Sequence, residues 1–422
     1  MRRGAMAAAI VSAAATPAAR GDTADARAAP PAQERGIARW FDPDTAPFLP
    51  IPEIDASPFS GVTLGLIPVV LTTNDRGEID RILAPDIIRS AYFGWGARWR
   101  TFRNPSDDER WSVVGGAKQR VESEFDAEFD GGLRRDRDWS WTLHAMYDRS
   151  GTGRFFGIGN DASQSAATTY VDAQSRLEAT VGRNFGRRLQ VAYSARADVV
   201  RIDHGVLAGL PSIESRYPGL PGLGGEHELQ ERVVASYDTR DAATIPRDGS
   251  RVAAYAGFSR RGLASSVSYT FLGVDASVVR PLDDGLTLAL HGAVRYMPDD
   301  RDAPFWALSS VGGDRSVIGE AQPLRAFGPG RFVDRNAADG TIELRLRALA
   351  FHMFSTDLSF EPAPFVDVGK VFARMGDNPV AHAHHAVGIG LRIVASPFVV
   401  GYLDVGYGRD GVAVFSGIDY PF

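Results

Sequence analysis

Cysteine is absent from the 422 residues, which excludes disulfide scaffolds, thiolate metal sites and cysteine nucleophiles. Lysine is nearly absent. Lys118 and Lys370 are the only lysines, and arginine supplies the rest of the basic charge. That charge is also outweighed: 46 basic residues face 52 acidic ones, for a net charge of -6 and a pI near 5.8. A nucleic-acid binder should be basic, so that class is set aside. No uncharged apolar run approaches the ~18 residues of a membrane-crossing helix, and the mean hydropathy is -0.15, so a bundle of transmembrane helices is excluded. With 44% apolar and 23% charged residues the chain is too apolar to be disordered. Glycine (45 residues) and aromatics (10%) are plentiful.

The first residues read as an address. Met1-Arg2-Arg3-Gly4 is a short basic start, and Ala5 to Ala15 is an alanine-rich apolar run. Ala13-Ala14-Ala15 and Ala24-Asp25-Ala26 both fit a small-x-small cleavage site. Residues 1–26 are therefore expected to be a secretory signal peptide, with an ordinary N-terminal helix as the plainer alternative. Residues 27–60 carry Pro30, Pro31, Pro43, Pro47, Pro50, Pro52 and Pro58, and read as an extended periplasmic leader.

From Val62 onward the period is two. Ile342, Leu344, Leu346 and Ala348 fall on one face of a segment whose other face holds Thr341, Glu343, Arg345 and Arg347. Leu189, Val191, Tyr193, Ala195, Ala197 and Val199 likewise oppose Gln190, Ser194, Arg196 and Asp198, and Leu403, Val405 and Tyr407 oppose Tyr402, Asp404 and Gly406. A soluble sheet buries the apolar face, whereas a transmembrane barrel turns it to lipid and points the charges into a wet lumen. The barrel is favoured because segments such as 110–131 and 170–185 exceed the ~5–6 residues of ordinary strands. The chain also ends on the aromatic residues Tyr420 and Phe422. The expected fold is all-β: a single antiparallel transmembrane barrel over 61–422. Its sixteen strands run from 62–73 to 411–422, with 110–131 as one strand. If the first strand runs outward, the long connections 151–167, 203–227 and 298–340 fall outside. The short ones, 132–136, 186–187, 282–285 and 396–397, fall on the periplasmic side, which is the asymmetry of outer-membrane barrels.

Four stretches then resemble the BamA/TamA superfamily of outer-membrane barrels (the bacterial surface antigen family). They are Arg154-Phe155-Phe156-Gly157-Ile158-Gly159-Asn160-Asp161, and Tyr237-Asp238-Thr239-Arg240-Asp241 followed by Pro246 and Gly249. The third is Val311-Gly312-Gly313 followed by Leu324-Arg325-Ala326-Phe327, and the fourth is Phe365-Val366-Asp367-Val368-Gly369. The resemblance implies that the loop 298–340 folds back into the lumen. Arg325 would pair there with Glu343 and Asp367, with Phe327 and Gly369 beside them. Alternation independently points Glu343 inward. Ala326 stands where the family usually has glycine, and a left-handed backbone there would strain an alanine. Roughly 35 residues separate the expected cleavage site from the first strand, which resembles the subgroup without N-terminal periplasmic domains.

Members of that family are thought to act at the seam between first and last strands. Pro68 and Pro421 lie in those two segments with Gly417, Tyr420 and Phe422, and proline weakens a ladder. Proline also marks strand ends and bulges, and Pro85 in the second segment is not at the seam, so both readings of these prolines stay open. The resemblance implies a lateral-gate barrel of the bacterial outer membrane, without catalysis or cofactor. It would assist insertion or translocation of proteins, or of lipid. Its partners would be outer-membrane lipids and lipopolysaccharide, unfolded outer-membrane proteins, or a separate periplasmic partner. The alternative is a passive pore or a surface-display barrel. His382, His384 and His385 lack the carboxylate spacing of a metal site, and no serine lies in a nucleophile turn, so an enzyme ranks last.

Overall fold

The computed structural model describes residues 48–417 apart from 58–60, 74–78, 107, 244, 263, 354–355, 379–380 and 396–397. The address, most of the leader, and Tyr420, Pro421 and Phe422 lie outside the described residues. Twenty segments form one antiparallel sheet in which chain neighbours pair in order. Two strands are interrupted. Ile79–Leu83 and Asp86–Ser90 are separated at Ala84-Pro85, because proline cannot donate to the ladder; Asn336–Leu346 and Leu349–Met353 are separated at Arg347-Ala348. With each interrupted strand taken as one, the described sheet has eighteen strands rather than the expected sixteen.

Both additions have physical causes. Segment 110–131 is two strands, Glu109–Lys118 and Ser123–Gly131, folded back at residues 119–122. Alternation continues through the turn, and its residues are Gln119, Arg120, Val121 and Glu122, none of them an ordinary turn former. Val121 takes a left-handed conformation (φ 61), and Lys118 and Glu122 pair across the turn. The second addition is Leu49–Ser57, expected as leader, which pairs along its whole length with Gly61–Thr73. Its prolines 50 and 52 lie opposite Pro68 and Leu66, and its other edge meets the last strand, Gly411–Gly417, with Ala56 opposite Val414. Strand Gly61–Thr73 therefore runs opposite to the expected direction. From Trp139 onward the directions stand as expected, because both missed turns lie upstream of every long loop.

The faces divide by polarity. Ile342, Leu344 and Leu346 are exposed on the outside, while Thr341, Glu343 and Arg345 are buried inside. Among the described residues no helix is long and apolar enough to cross a membrane; the apolar band lies on strands. The loop between Leu286–Asp302 and Asn336–Leu346 carries its own small sheet, Ser309–Val311, Ala321–Gln322 and Phe332–Asp334. Its apolar residues Val311, Leu324, Ala326, Phe327 and Phe332 pack with Ala337, Val371 and Ala386 of the wall.

The extra turn predicts an accessibility pattern. A single cysteine replacing Arg120 should react with a membrane-impermeant maleimide on intact cells. One replacing Arg187, at the opposite end, should react only after permeabilisation. Labelling of Arg187 on intact cells, or protection of Arg120 in a folded barrel, would restore the sixteen-strand order.

Candidate functional site: a loop locked into the barrel wall

The centre of the site is Arg325. Its side chain is fully buried, and its fork meets Asp367 twice, with Nε to Oδ2 at 3.0 Å and Nη2 to Oδ1 at 2.8 Å. Its backbone N–H donates to the same carboxylate at 2.9 Å. Nη1 donates to Glu343 Oε2 at 2.8 Å and to Asp404 Oδ2 at 3.2 Å, and the guanidinium lies 3.5 Å from the Phe365 ring centroid. Arg392 donates to Glu343 at 3.0 Å and to Asp404 at 3.4 Å, and Arg345 donates to Glu343 at 2.8 Å. Thr341 Oγ1 adds a bond to Asp367 at 3.0 Å. Three guanidinium groups and three carboxylates thus form one buried network across Asn336–Leu346, Thr356–Phe372, His384–Ala395 and Phe398–Gly408. Each ion meets an opposite charge at hydrogen-bond distance, which such burial requires.

Backbone approach completes the fit. A Cβ at Gly406 would lie 1.8 Å from the Arg325 carbonyl oxygen, so only glycine lets the loop reach the wall there. Ala326 does not adopt a positive φ, and its methyl group faces Gly408, which has no side chain to oppose it. The alanine is accommodated by the wall rather than by a strained turn. Phe327 is fully buried edge-to-face on Phe332 (5.3 Å), and Gly369 lies under Leu324 and Val311. Gly312 and Gly313 both take positive φ (132 and 90), which sets the loop's entry turn.

A second attachment has the opposite polarity and lies on the opposite wall. Glu320 of the loop meets Arg196 and Arg176, and Arg232 Nη1 donates to the Ile318 carbonyl at 2.7 Å. Burial pushes the Glu320 carboxyl up, but the Arg196, Arg176 and Arg232 charges outweigh it and hold it at about 2, so the contact stays ionised throughout the ordinary pH range. The loop is a strut, with an arginine fixed in one wall and a carboxylate in the other. A third tie, Tyr402 Oη to Asp314 Oδ2 at 2.5 Å, lies on the strand next to the last.

The other motif residues sit apart. Gly157 and Gly159 take positive φ (97 and 113) in a loop that Asn160 ties to the connection 373–383 at the same end of the barrel. Asn160 donates to the His382 carbonyl (2.9 Å), and its own oxygens accept from Val371 N–H (3.2 Å) and His384 (2.9 Å). That loop reaches the lumen loop through Gly159 N–H to Val333 O at 2.8 Å, while Arg331 stacks between Phe156 and Phe332 and pairs with Asp410 at 2.5 Å. Asp238, Arg240 and Asp241 build a turn at the other end: Arg240 grips Asp238 at 2.9 and 3.0 Å, and Asp241 caps the Arg247 N–H at 2.9 Å. His384 is committed to Asn160 and stacked on Phe332, and no metal-binding group of three or more His, Asp or Glu exists among the described residues. Pro68 is not in the seam strand. It lies one strand inward, opposite Pro50. Gly417 lies opposite Tyr402, and a side chain there would meet the Tyr402 ring at 2.8 Å, so it serves packing. Asp404, Arg392, Arg345 and Glu320 were missed as site residues. Alternation placed Asp404 and Arg345 on the inner face, but no signal paired them.

The Omp85 superfamily domain is matched over residues 113–409. The chain belongs to the Omp85 superfamily. It is also similar in fold to BamA from Haemophilus ducreyi lacking POTRA domains 1–3, with TM-score 0.51 and 13% identity over 84% of this chain and 75% of that one. CdiB from Escherichia coli matches with TM-score 0.46 and 11% identity over 88% of this chain and 62% of that one. No curated protein sequence matches. Omp85 membership places the chain in the bacterial outer membrane, in the general work of outer-membrane protein biogenesis, and without catalysis.

Arg325→Ala should lower stability by about 3–5 kcal/mol, because it leaves Asp367, Glu343 and Asp404 buried against too little positive charge. Arg325→Lys should recover little, since a point charge cannot reproduce the fork. Urea unfolding followed by loss of heat-modifiable gel mobility checks both, and a change under 1 kcal/mol for Arg325→Ala would refute the network's role.

Proposed function

We propose that this Omp85 barrel opens laterally between Leu49–Ser57 and Gly411–Gly417, admitting unfolded outer-membrane proteins, or lipid, between lumen and bilayer. The observation that carries the reading is the polar cavity behind that junction, where Ala56 lies opposite Val414 and Ile54 N–H donates to Ser416 Oγ at 3.1 Å. The charge network supports it, since it spans four consecutive strands and stops at Phe398–Gly408, so Gly411–Gly417 is the first strand outside the block. A cavity of about 370 Å³ lies directly behind the junction, with Thr63 and Ser90 on one side, Phe415 and Ser416 on the other, and Asp314 and Arg315 of the loop lining it too. An opening seam would lead into polar space rather than into packed side chains.

Photo-crosslinking in cells tests this. A photoreactive residue at Phe415, which lines that cavity, should form adducts with newly made barrel proteins or with lipid. One at Ser194, an inward position on a closed wall, should form none. Only intramolecular adducts from Phe415 would mean that the seam stays shut, and would favour a passive pore.

A further inference from the structure

A second cavity, of about 180 Å³, lies between the loop and the far wall, away from the seam. Two of its lining residues are electrostatically incomplete. Arg295, on Leu286–Asp302, is 3% exposed. Its terminal nitrogens donate to the Ala307 carbonyl and to Ser309 Oγ, all at 3.1 Å, and it lies over the Phe271 ring at 4.8 Å. Every one of these partners is neutral. No carboxylate lies within 4.0 Å among the described residues, and Nε is buried without an acceptor. The other large buried arginines of the lumen are different, since Arg325, Arg392, Arg345 and Arg196 each meet at least one carboxylate. A buried guanidinium with no carboxylate in hydrogen-bond reach is costly and calls for a specific explanation; Glu320, which lines the same cavity, is held by Arg196 and Arg176.

Asp172, on Thr168–Phe185, is the complementary case. Its Oδ1 is buried without a donor, and no cation pairs with it among the described residues. The same cavity also presents Trp306, whose Nε1 is buried without an acceptor, and the Tyr269 ring. The space is equivalent to roughly six waters at ~30 Å³ each, which is the size of a small metabolite.

We infer that this cavity binds a small zwitterion, with an oxyanion at Arg295 and an ammonium group at Asp172. The guanidinium supplies donors to a phosphate or carboxylate. The free carboxylate receives the ammonium, with aromatic rings available to flank it. Because Trp306 belongs to the loop and Asp172 to the wall, a bound molecule braces the strut beside the Glu320 contact. The site does not depend on the seam, and it stands or falls separately from lateral opening.

The test uses the full chain purified in detergent, with phosphoethanolamine, inorganic phosphate and ethanolamine as separate calorimetric probes. Phosphoethanolamine should bind at least about tenfold more tightly than either fragment and raise the unfolding temperature. Asp172→Asn should remove about a tenfold share of that affinity while leaving weak phosphate binding intact. Arg295→Gln should abolish binding of both phosphate-bearing probes; if it does not fold, Asp172→Asn carries the test alone. Equal affinity for phosphate and phosphoethanolamine, wild-type behaviour in Asp172→Asn, or no binding by any probe would overturn the inference.

Discussion

A guanidinium buried in a barrel lumen needs carboxylates around it, and the placement of Arg325 organises much of this molecule. Three carboxylates on three different strands converge on it, and two further arginines, Arg345 and Arg392, balance the charge that this convergence creates. Removing any one ion leaves the others uncompensated, so the six groups persist or fail together. The glycines of the wall follow from the same constraint. Gly406 yields space to the Arg325 carbonyl and Gly408 to the Ala326 methyl, and both are consequences of how closely the loop must lie for the fork to reach Asp367. Glu320 then fixes the other end of the loop in an arginine cradle on the opposite wall.

Much of this was legible in the amino-acid order, for identifiable reasons. Period-two alternation survives on a lipid-facing sheet because each residue has only two environments, so the inner positions of Glu343, Arg345 and Asp404 could be read directly. What alternation cannot register is a turn that preserves its phase. The fold-back at 119–122 contains no glycine, proline, asparagine or aspartate and keeps the pattern intact, so two strands read as one. Prolines 50 and 52 argue against a strand at Leu49–Ser57, yet the segment pairs along its whole length with Gly61–Thr73. The site divides similarly. Motif order singled out Arg325 and two of its acids, whereas Arg392, Asp404 and Glu320 join through contacts between distant strands that no local spacing encodes.

The architecture therefore divides the barrel unevenly. From Asn336 to Gly408 the strands are joined by long ladders and by a charge network that also immobilises the loop. The network does not extend to Gly411–Gly417, which meets Leu49–Ser57 at Val414 and Ala56. Rigidity on one side of the seam concentrates any opening at the seam itself, and lateral gating needs that contrast more than it needs any single motif residue.

Hydrogen exchange of the folded barrel, read strand by strand, measures that contrast most directly. The account predicts rapid exchange of the backbone amides in 49–57 and 411–417 on their facing edges, with those of 336–346 and 358–372 protected to the limit of global unfolding. Equal protection of the seam strands and the network strands would contradict it.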